Sequence, residues 1–282
     1  MESKNIAIVG TGLIGGSMAL RLRETGLAAK LVGVDASADN CRIAIERGLV
    51  DACMELEEAV SKSDVVILAI PVDAIVKLLP GLLEIVDKQI VVDLGSTKAQ
   101  LTDAVKGHQK RGRYVAAHPM WGTEYSGPSA AVEGAFANKA VILCNTADSD
   151  ADALAWARGM FAAIGMHQME MDADDHDLHA AYVSHISHIT SFALANTVLE
   201  KEREDDAIFE MASAGFESTV RLAKSNPRMW VPVFRQNKDN VLDVLNEHIS
   251  QLRKFKSCLE KENWEYLEEL ITDANKIRRI IK

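Results

Sequence analysis

The sequence has few cysteines, an excess of acid over base and no long apolar run. Its four cysteines, among 282 residues, form no C-x-x-C pair, so neither a disulfide framework nor a zinc knuckle is indicated. The net charge of −10 argues against a nucleic-acid or anionic-membrane surface, where clustered Lys and Arg are expected. No apolar run approaches the ~20 residues of a membrane span. We therefore expect a soluble, untargeted protein of the reducing cytoplasm, with neither nucleic acid nor membrane as a partner.

The apolar content of 48% is enough for one large or two ordinary globular domains. Near the start of the chain, the apolar run Ile6–Val9 leads directly into Gly-x-Gly-x-x-Gly, and helical periodicity follows from Ser17 to Glu24. In this context the first glycine permits a tight turn, the second lets the backbone approach a pyrophosphate, and the third allows close packing of helix on strand. The predicted dinucleotide-binding residues are Gly10, Gly12, Leu13, Ile14 and Gly15.

A second predicted strand, Leu31–Val34, ends in Asp35, about 20 residues beyond the glycines. An acid at this place accepts hydrogen bonds from the ribose hydroxyls of NAD and would face the 2′-phosphate of NADP. Ala36, Ser37 and Ala38 supply no cation to offset that repulsion. The sequence therefore predicts NAD as the cofactor.

Short apolar runs then alternate with helical segments up to about residue 172, as a doubly wound sheet requires. The further strands are predicted at 65–70, 90–94, 114–117, 140–144 and 166–169, and the helices at 37–48, 73–86, 97–110 and 150–164. After Asp172 only helical patterns remain. We predict an α/β fold, with a Rossmann-type parallel sheet over 1–172 and an all-α substrate-binding and dimerisation domain over 173–282.

A histidine and a carboxylate lie in the segment Ala117–Glu124, directly after a predicted strand. Residues just past the carboxyl end of a strand in an open parallel sheet project into the ligand cleft. We therefore interpret this segment as a catalytic loop, with His118 as the candidate base.

The first helix of the second domain is rich in histidine. Ser184, His185 and His188 stand at i, i+1 and i+4, so we expect them to share a polar face turned toward the cleft. No H-E-x-x-H spacing is present, and no metal is predicted. His176 and His179 are expected to be ordinary core histidines. A later stripe at 3-4 spacing, from Leu242 to Leu259, is compatible with a second subunit, but packing within the domain is the better expectation for a single chain.

Five segments together resemble the prephenate/arogenate dehydrogenase family, and the match spans nearly the whole chain. They are Gly10–Ser17 (GTGLIGGS), Leu94–Lys98 (LGSTK), His118–Glu124 (HPMWGTE), Val183–His188 (VSHISH) and Arg221–Trp230 (RLAKSNPRMW). The resemblance implies NAD-dependent oxidative decarboxylation of prephenate to 4-hydroxyphenylpyruvate, a step of tyrosine biosynthesis, by a homodimer.

The resemblance also implies roles for individual residues. His118 matches the catalytic histidine that takes the proton of the ring hydroxyl, and Ser96 matches the serine that orients it. Arg221 matches the residue that clamps a substrate carboxylate. The remaining expected substrate-binding positions are His188, Ser184, Thr123, Trp230 and Glu124, the last near the mouth of the pocket.

This chain departs from the family pattern at Ser218, where an aspartate often precedes the arginine by three residues. Glu217 is a possible substitute partner, because it precedes Arg221 by four residues and the i, i+4 spacing puts the two side chains together on a helix. Arogenate carries an ammonium group, and burying it without a spare carboxylate is costly. Because such acids are few here, we expect prephenate to be preferred to arogenate.

Two other functions remain as alternatives. A β-hydroxyacid dehydrogenase also joins a Rossmann domain to helices, but it uses a helical lysine as acid/base, and the helix from Asp175 to Leu199 contains none. A non-catalytic NAD sensor would leave His118, Ser96 and Arg221 without a common purpose.

Overall fold

The computed structural model describes residues 2–202 and 207–280. In that part of the chain, eight strands form one sheet. They are β1 (Lys4–Val9), β2 (Ala28–Val34), β3 (Ala52–Cys53), β4 (Val65–Leu68), β5 (Ile90–Asp93), β6 (Tyr114–Pro119), β7 (Ala140–Cys144) and β8 (His167–Met171). Their order is β3-β2-β1-β4-β5-β6-β7-β8, and all neighbours are parallel except β6 and β7. The predicted doubly wound parallel sheet is confirmed, with the antiparallel pair β6–β7 as the one departure from it among the described strands.

Helices connect the strands and then continue without further strands in the described residues. Those of the sheet region are α1 (Leu13–Glu24), α2 (Ala38–Glu46), α3 (Leu56–Ser61), α4 (Val72–Ile85), α5 (Ala99–Ala104) and α6 (Ala151–Ala163). Those that follow are α7 (Ala173–Ala180), α8 (Ile186–Glu202), α9 (Ala207–Glu210), α10 (Ala214–Val220), α11 (Pro227–Gln236), α12 (Lys238–Glu260) and α13 (Trp264–Ala274). A π-helical stretch, Ala181–His185, joins α7 to α8. None of the described helices is long and apolar enough to cross a membrane.

The sheet is covered on both faces, which explains why its central strands are continuously apolar. Ile6 and Ile8 of β1 enter one core cluster, whereas Ala7 and Val9 enter the other. Successive side chains of a strand point to opposite faces, so a strand buried on both sides cannot alternate apolar with polar residues.

The chain adds strands outward from β1 to β3 and then crosses back to β4 on the other side of β1. Ligands of open α/β sheets bind at such a switch point, outside the carboxyl ends of the strands. Gly10 follows β1, Asp35 follows β2 and Ser96 follows β5, so three predicted site segments emerge at this edge.

The structure corrects the sequence analysis at several elements. The expected helix over 97–110 is shorter, Ala99–Ala104, and a turn follows it up to Gly107, which adopts a positive φ of 80°. The last strand, β8, is exposed along most of its length, since it lies at the sheet edge and pairs only with β7. The two-residue strand β3 was not predicted, because two residues are too few to show a periodic pattern. The side chain of Ser37 caps the N-terminus of α2 by accepting from the amide of Asn40.

The described chain forms two compact units, Met1–Asn237 and Lys238–Lys282. Compactness and helical content divide the chain at different places, so the division into 1–172 and 173–282 stays a prediction. Within the second unit, the stripe on α12 is not packed as expected. Leu242, Leu252 and Leu259 are about half exposed, while Val241 and Val244 are buried. The expectation that this stripe fills a core within one chain is wrong for these three leucines.

Candidate active site

The glycine-rich turn between β1 and α1 forms an open backbone cradle. Gly10 adopts a φ of +93°, where a side chain would be strained, and a Cβ at Gly15 would overlap the carbonyl oxygen of Gly10. Gly12, by contrast, has no atom within 4 Å of its Cβ position, so the space above it is free. The helix α1, with Leu13 and Ile14 in its first turn, begins at Gly12 without a side-chain cap. This arrangement fits the pyrophosphate of a dinucleotide, which needs close approach to backbone donors at a helix N-terminus.

Asp35, directly after β2, is held rigidly by groups of the protein. One carboxylate oxygen accepts from the amide and the hydroxyl of Thr11 at 2.9 and 3.0 Å. The other accepts from the amide of Ser37 at 3.0 Å and from the side-chain amide of Asn40 at 3.1 Å. Four donors fix the carboxylate beside the glycine-rich turn, in the place that a ribose-binding acid requires.

His118 lies inside β6, where it pairs with Ile142 of β7, and not on a loop after the strand. The sequence analysis ended the strand too early because a histidine and a proline interrupt the apolar pattern. The side chain is buried, and its Nδ1 lies 2.8 Å from Nε2 of His176. Burial above all, with further contributions from His176, Lys98 and His185, holds the pKa of His118 well below its ordinary value. The imidazole is therefore neutral near pH 7 and able to accept a proton.

His176 is the functional neighbour that the sequence analysis missed, since it was expected to be an ordinary core histidine. Its Nδ1 lies 2.8 Å from Oδ1 of Asp177. Both carboxylate oxygens of Asp177 also accept backbone amides, from Lys98 at 2.7 Å and from Ala99 at 3.0 Å. A histidine followed directly by an aspartate at a helix start was the available signal, but only the fold shows that the pair faces β6.

Ser96 lies on the connection between β5 and α5, and this connection is anchored on two sides. At the end of this connection, the carboxylate of Asp177 accepts the backbone amides of Lys98 and Ala99. The hydroxyl of Thr97 donates to the side chain of Gln236 at 2.6 Å. Ser96 itself is only partly buried. The loop that carries the predicted orienting serine is thus fixed to the helix that carries His176.

A buried ion pair supports the same connection. The ammonium group of Lys98 contacts Oδ1 of Asp93, and both side chains are fully buried. The hydroxyl of Tyr114 donates to the other oxygen of Asp93 at 2.7 Å, and the amide of Gly95 donates to Oδ1 at 2.8 Å. Burial first, and then Asp93, raises the pKa of Tyr114 well above its ordinary value. Such a satisfied network holds the Ser96 connection in one conformation.

The helical side of the site brings together two predicted substrate-binding residues. The rings of His188 and Trp230 are stacked, with centroids 3.5 Å apart. Nδ1 of His188 lies 3.0 Å from the backbone oxygen of Ser184, whose own side chain is partly buried. Burial lowers the pKa of His188, and Arg221 lowers it further. Within the described residues, the buried indole N–H of Trp230 has no hydrogen-bond partner, so it is available as a donor.

His185, expected to face the cleft, is instead buried and bound within the protein. Its Nδ1 lies 3.1 Å from the side-chain amide of Asn237. Burial lowers its pKa to about 4. His179 is exposed, contrary to the expectation of a core histidine. In the described part of the chain, no cluster of three or more His, Cys, Asp or Glu side chains could hold a metal ion.

Arg221 begins a short 3-10 stretch after α10 and is half exposed. Its Nη1 lies 3.0 Å from Oε2 of Glu124. Glu217, the substitute partner considered from the sequence, lies instead 3.8 Å from Lys224. The acid missing at Ser218 is therefore replaced from another segment of the chain. Glu124 also lines an open cleft with Tyr125 and Ser126, and the neighbouring Thr123 is exposed.

Comparison with known proteins agrees with this reading of the fold. Residues 18–170 match the family model described as the nucleotide-binding domain of prephenate dehydrogenase, and residues 172–273 match that of its dimerization domain. Prephenate dehydrogenase of Bacillus subtilis (strain 168) is 30% identical over 277 residues, which cover 97% of this chain and 75% of that protein. Cyclohexadienyl dehydrogenase of Zymomonas mobilis is 29% identical over 284 residues, covering 99% and 96% of the two chains.

A solved structure is similar over the full length. The crystal structure of prephenate dehydrogenase from A. aeolicus, in complex with hydroxyphenyl propionate and NAD+, matches with a TM-score of 0.91 at 29% identity, covering 100% of this chain and 99% of that one. The sheet, the glycine cradle and these matches define an NAD-dependent oxidoreductase. The chain belongs to the prephenate dehydrogenase family.

Proposed function

We propose that this enzyme converts prephenate to 4-hydroxyphenylpyruvate and carbon dioxide, with NAD as the hydride acceptor. The observation that carries the proposal is His118, a buried histidine with a strongly lowered pKa in the strand next to the Ser96 connection. The reaction yields an aromatic ring, so the protein needs a base for the ring hydroxyl, donors for the carboxylates and a well-placed cofactor.

Each predicted site residue has a part in this reaction. His118 takes the proton of the ring hydroxyl while the hydride leaves the ring carbon that carries this hydroxyl. The bond to the ring carboxylate then breaks, carbon dioxide leaves, and the proton returns to the oxygen as the phenol forms. Ser96 orients the hydroxyl, and Arg221 binds a substrate carboxylate. His188, Trp230, Ser184, Thr123 and Glu124 line the pocket around the substrate.

NAD supplies the hydride acceptor when it is bound. The residues that would hold it are Gly10, Gly12, Leu13, Ile14 and Gly15 for the pyrophosphate, and Asp35 for the ribose.

Two ion pairs support prephenate over arogenate as the preferred substrate. Glu124 is paired with Arg221, and Glu217 is near Lys224, so neither acid is free of a cation. Ser218 supplies no charge where relatives often have an aspartate. The ammonium group of arogenate would have to compete for one of these acids, whereas the keto group of prephenate would not.

The decisive experiment follows the NADH absorbance of pure enzyme mixed with NAD and with prephenate, arogenate or a 3-hydroxy acid. We expect the highest kcat/KM with prephenate. A higher kcat/KM for arogenate would refute the substrate preference, and activity only on the 3-hydroxy acid would indicate the β-hydroxyacid dehydrogenase alternative. Absence of turnover with all three, despite NAD binding, would favour a sensor.

We also propose a homodimer built through the second unit. Residues 172–273 match a dimerization domain, and Leu242, Leu252 and Leu259 on α12 are about half exposed in the single chain. Sedimentation should show twice the chain mass of 30.8 kDa at micromolar concentration. Leu252→Glu should shift the protein toward monomer, whereas Lys254→Glu, on the opposite face of α12, should not. A wild-type monomer would contradict the proposal. The cytoplasmic location stays a prediction.

A further inference from the structure

Three buried side chains form a continuous row of hydrogen bonds behind the candidate base. Nδ1 of His118 is 2.8 Å from Nε2 of His176, and Nδ1 of His176 is 2.8 Å from Oδ1 of Asp177. All three side chains are buried, with His176 and Asp177 each only 2% exposed. Water therefore does not compete for these bonds, and each proton in the row has one place to go.

The direction of hydrogen-bond donation along this row follows from Asp177, which lies at its far end. Asp177 already accepts the backbone amides of Lys98 and Ala99, and an ionised carboxylate has acceptors only. His176 must therefore carry its proton on Nδ1 and donate it to Asp177. In the neutral ring, Nε2 of His176 is then an acceptor, so His118 must carry its own proton on Nδ1.

We propose that His176, held by Asp177, is a positioning residue that fixes His118 in its Nδ1-protonated form and so leaves Nε2 as the base. This role rests on the proposed function of His118. The proton of the ring hydroxyl passes to Nε2, and it returns to the same oxygen when the aromatic ring has formed. The imidazolium that exists between these steps keeps its Nδ1–H bond to the acceptor Nε2 of His176.

Asp177 extends this role to the second candidate catalytic residue. The carboxylate that orients His176 also holds the backbone at Lys98 and Ala99, two and three residues after Ser96. Asn237 fixes the helix at the same point, since its side-chain amide donates to the backbone oxygen of Asp177 at 2.6 Å. One side chain thus sets the distance between the base and the loop of the orienting serine.

Two substitutions of His176 separate positioning from simple packing. His176→Leu fills the space but offers no acceptor to His118, whereas His176→Gln places a side-chain oxygen where it can accept the Nδ1 proton. We expect His176→Leu to lower kcat with prephenate by about 10²-fold, within the range of 10²–10⁴ for loss of a general base. The KM for prephenate and the Kd for NAD should change by less than about threefold, and His176→Gln should recover most of the lost kcat.

His179→Leu is the matched control, because His179 lies on the same helix, three residues away, and is exposed. It should retain wild-type kcat. The proposal is overturned if His176→Leu turns over at the wild-type rate, or if a folded His176→Gln variant is no faster than His176→Leu.

A second measurement does not depend on the reaction or on the folding of a His176 variant. In wild-type enzyme with ¹⁵N-labelled histidine, and with the signals assigned by comparison with His118→Asn, Nδ1 of His118 should be protonated and Nε2 should not. The opposite tautomer would overturn the proposal. The expected tautomer in an enzyme that does not oxidise prephenate would instead refute the proposed function and leave the positioning role intact.

Discussion

Asp35 should make the enzyme strongly selective for NAD over NADP. Its carboxylate is held in place by four protein donors, from Thr11, Ser37 and Asn40, so it cannot swing away from a phosphate. The nearest arginine that follows along the chain, Arg42, is 2.9 Å from Glu46 and is thus already paired. In the described part of the chain, the hydrogen bonds of the Asp35 carboxylate come from Thr11, Ser37 and Asn40, none of which is a cation that could receive a 2′-phosphate.

The size of the effect can be worked out from charge and distance. Two unit charges about 4 Å apart near a protein surface interact with roughly 4 kcal/mol. Counting only one charge of the phosphate, because solvent screens the site, this corresponds to about 10³-fold in kcat/KM. Asp35 should also contribute charge-assisted hydrogen bonds to the ribose hydroxyls, each worth roughly 1.5–3 kcal/mol.

Asp35→Ala removes both the repulsion and these bonds. Each lost hydrogen bond should lower kcat/KM for NAD by about 10- to 150-fold, while the ratio of kcat/KM for NAD to that for NADP falls to within about tenfold of unity. Asp39→Ala is the control, since it removes the same charge from an exposed position on α2. Steady-state kinetics with both cofactors measure the ratio. Equal kcat/KM for the two cofactors in the wild type, or an unchanged ratio in Asp35→Ala, would refute the reasoning.

Four further outcomes test the site and its electrostatics. His118→Asn should lower kcat by about 10²–10⁴-fold with an unchanged Kd for NAD; because the pKa of His118 is held well below 6.5, wild-type kcat should stay level as the pH falls through that value and drop only at lower pH, so an acid limb at or above 6.5 would contradict the assignment. Arg221→Ala should raise the KM for prephenate about 10- to 150-fold without changing that for NAD, and Arg221→Lys should rescue it poorly; an unchanged KM would make the arginine a surface charge only. Gly15→Ala should abolish NAD binding in calorimetry, because its Cβ would overlap the oxygen of Gly10. His185, with a pKa of about 4 when folded and near 6.5 when unfolded, should cost roughly 3 kcal/mol of stability as the pH falls from 6.5 to 4, and denaturant unfolding across that range should show no such loss in His185→Asn.

The nucleotide-binding half could be predicted from sequence because its signals are local. Ile6–Val9, the glycines and Asp35 each occupy a place along the chain that one strand or one turn determines. Burial of β1 on both faces leaves a continuous apolar run, and the positive φ at Gly10 is one that glycine adopts readily and other residues rarely do. These constraints act over a few residues, so a single sequence displays them.

Pairings between distant segments could not be predicted in the same way. The bond between His118 and His176 joins residues 58 positions apart, and the ion pair of Glu124 with Arg221 joins residues 97 positions apart. The helix periodicity that suggested Glu217 as the partner of Arg221 is a correct local rule. It fails here because the helix gives way at Arg221 to a 3-10 stretch, which changes the direction of the side chain.

The spacing rule of an ideal α-helix also fails for the helix that carries the histidines, and for a related reason. Its residues Ala181–His185 are π-helical, which adds a residue to the turn and rotates everything after it relative to an ideal helix. His185 is therefore buried near Asn237, while His188 stacks on Trp230 and contacts the backbone oxygen of Ser184. π-helical turns cost stability and persist mostly where function requires them. This π-helical stretch lies between His176 and His188. Its position supports the proposal that this helix lines the active site together with the glycine-rich turn.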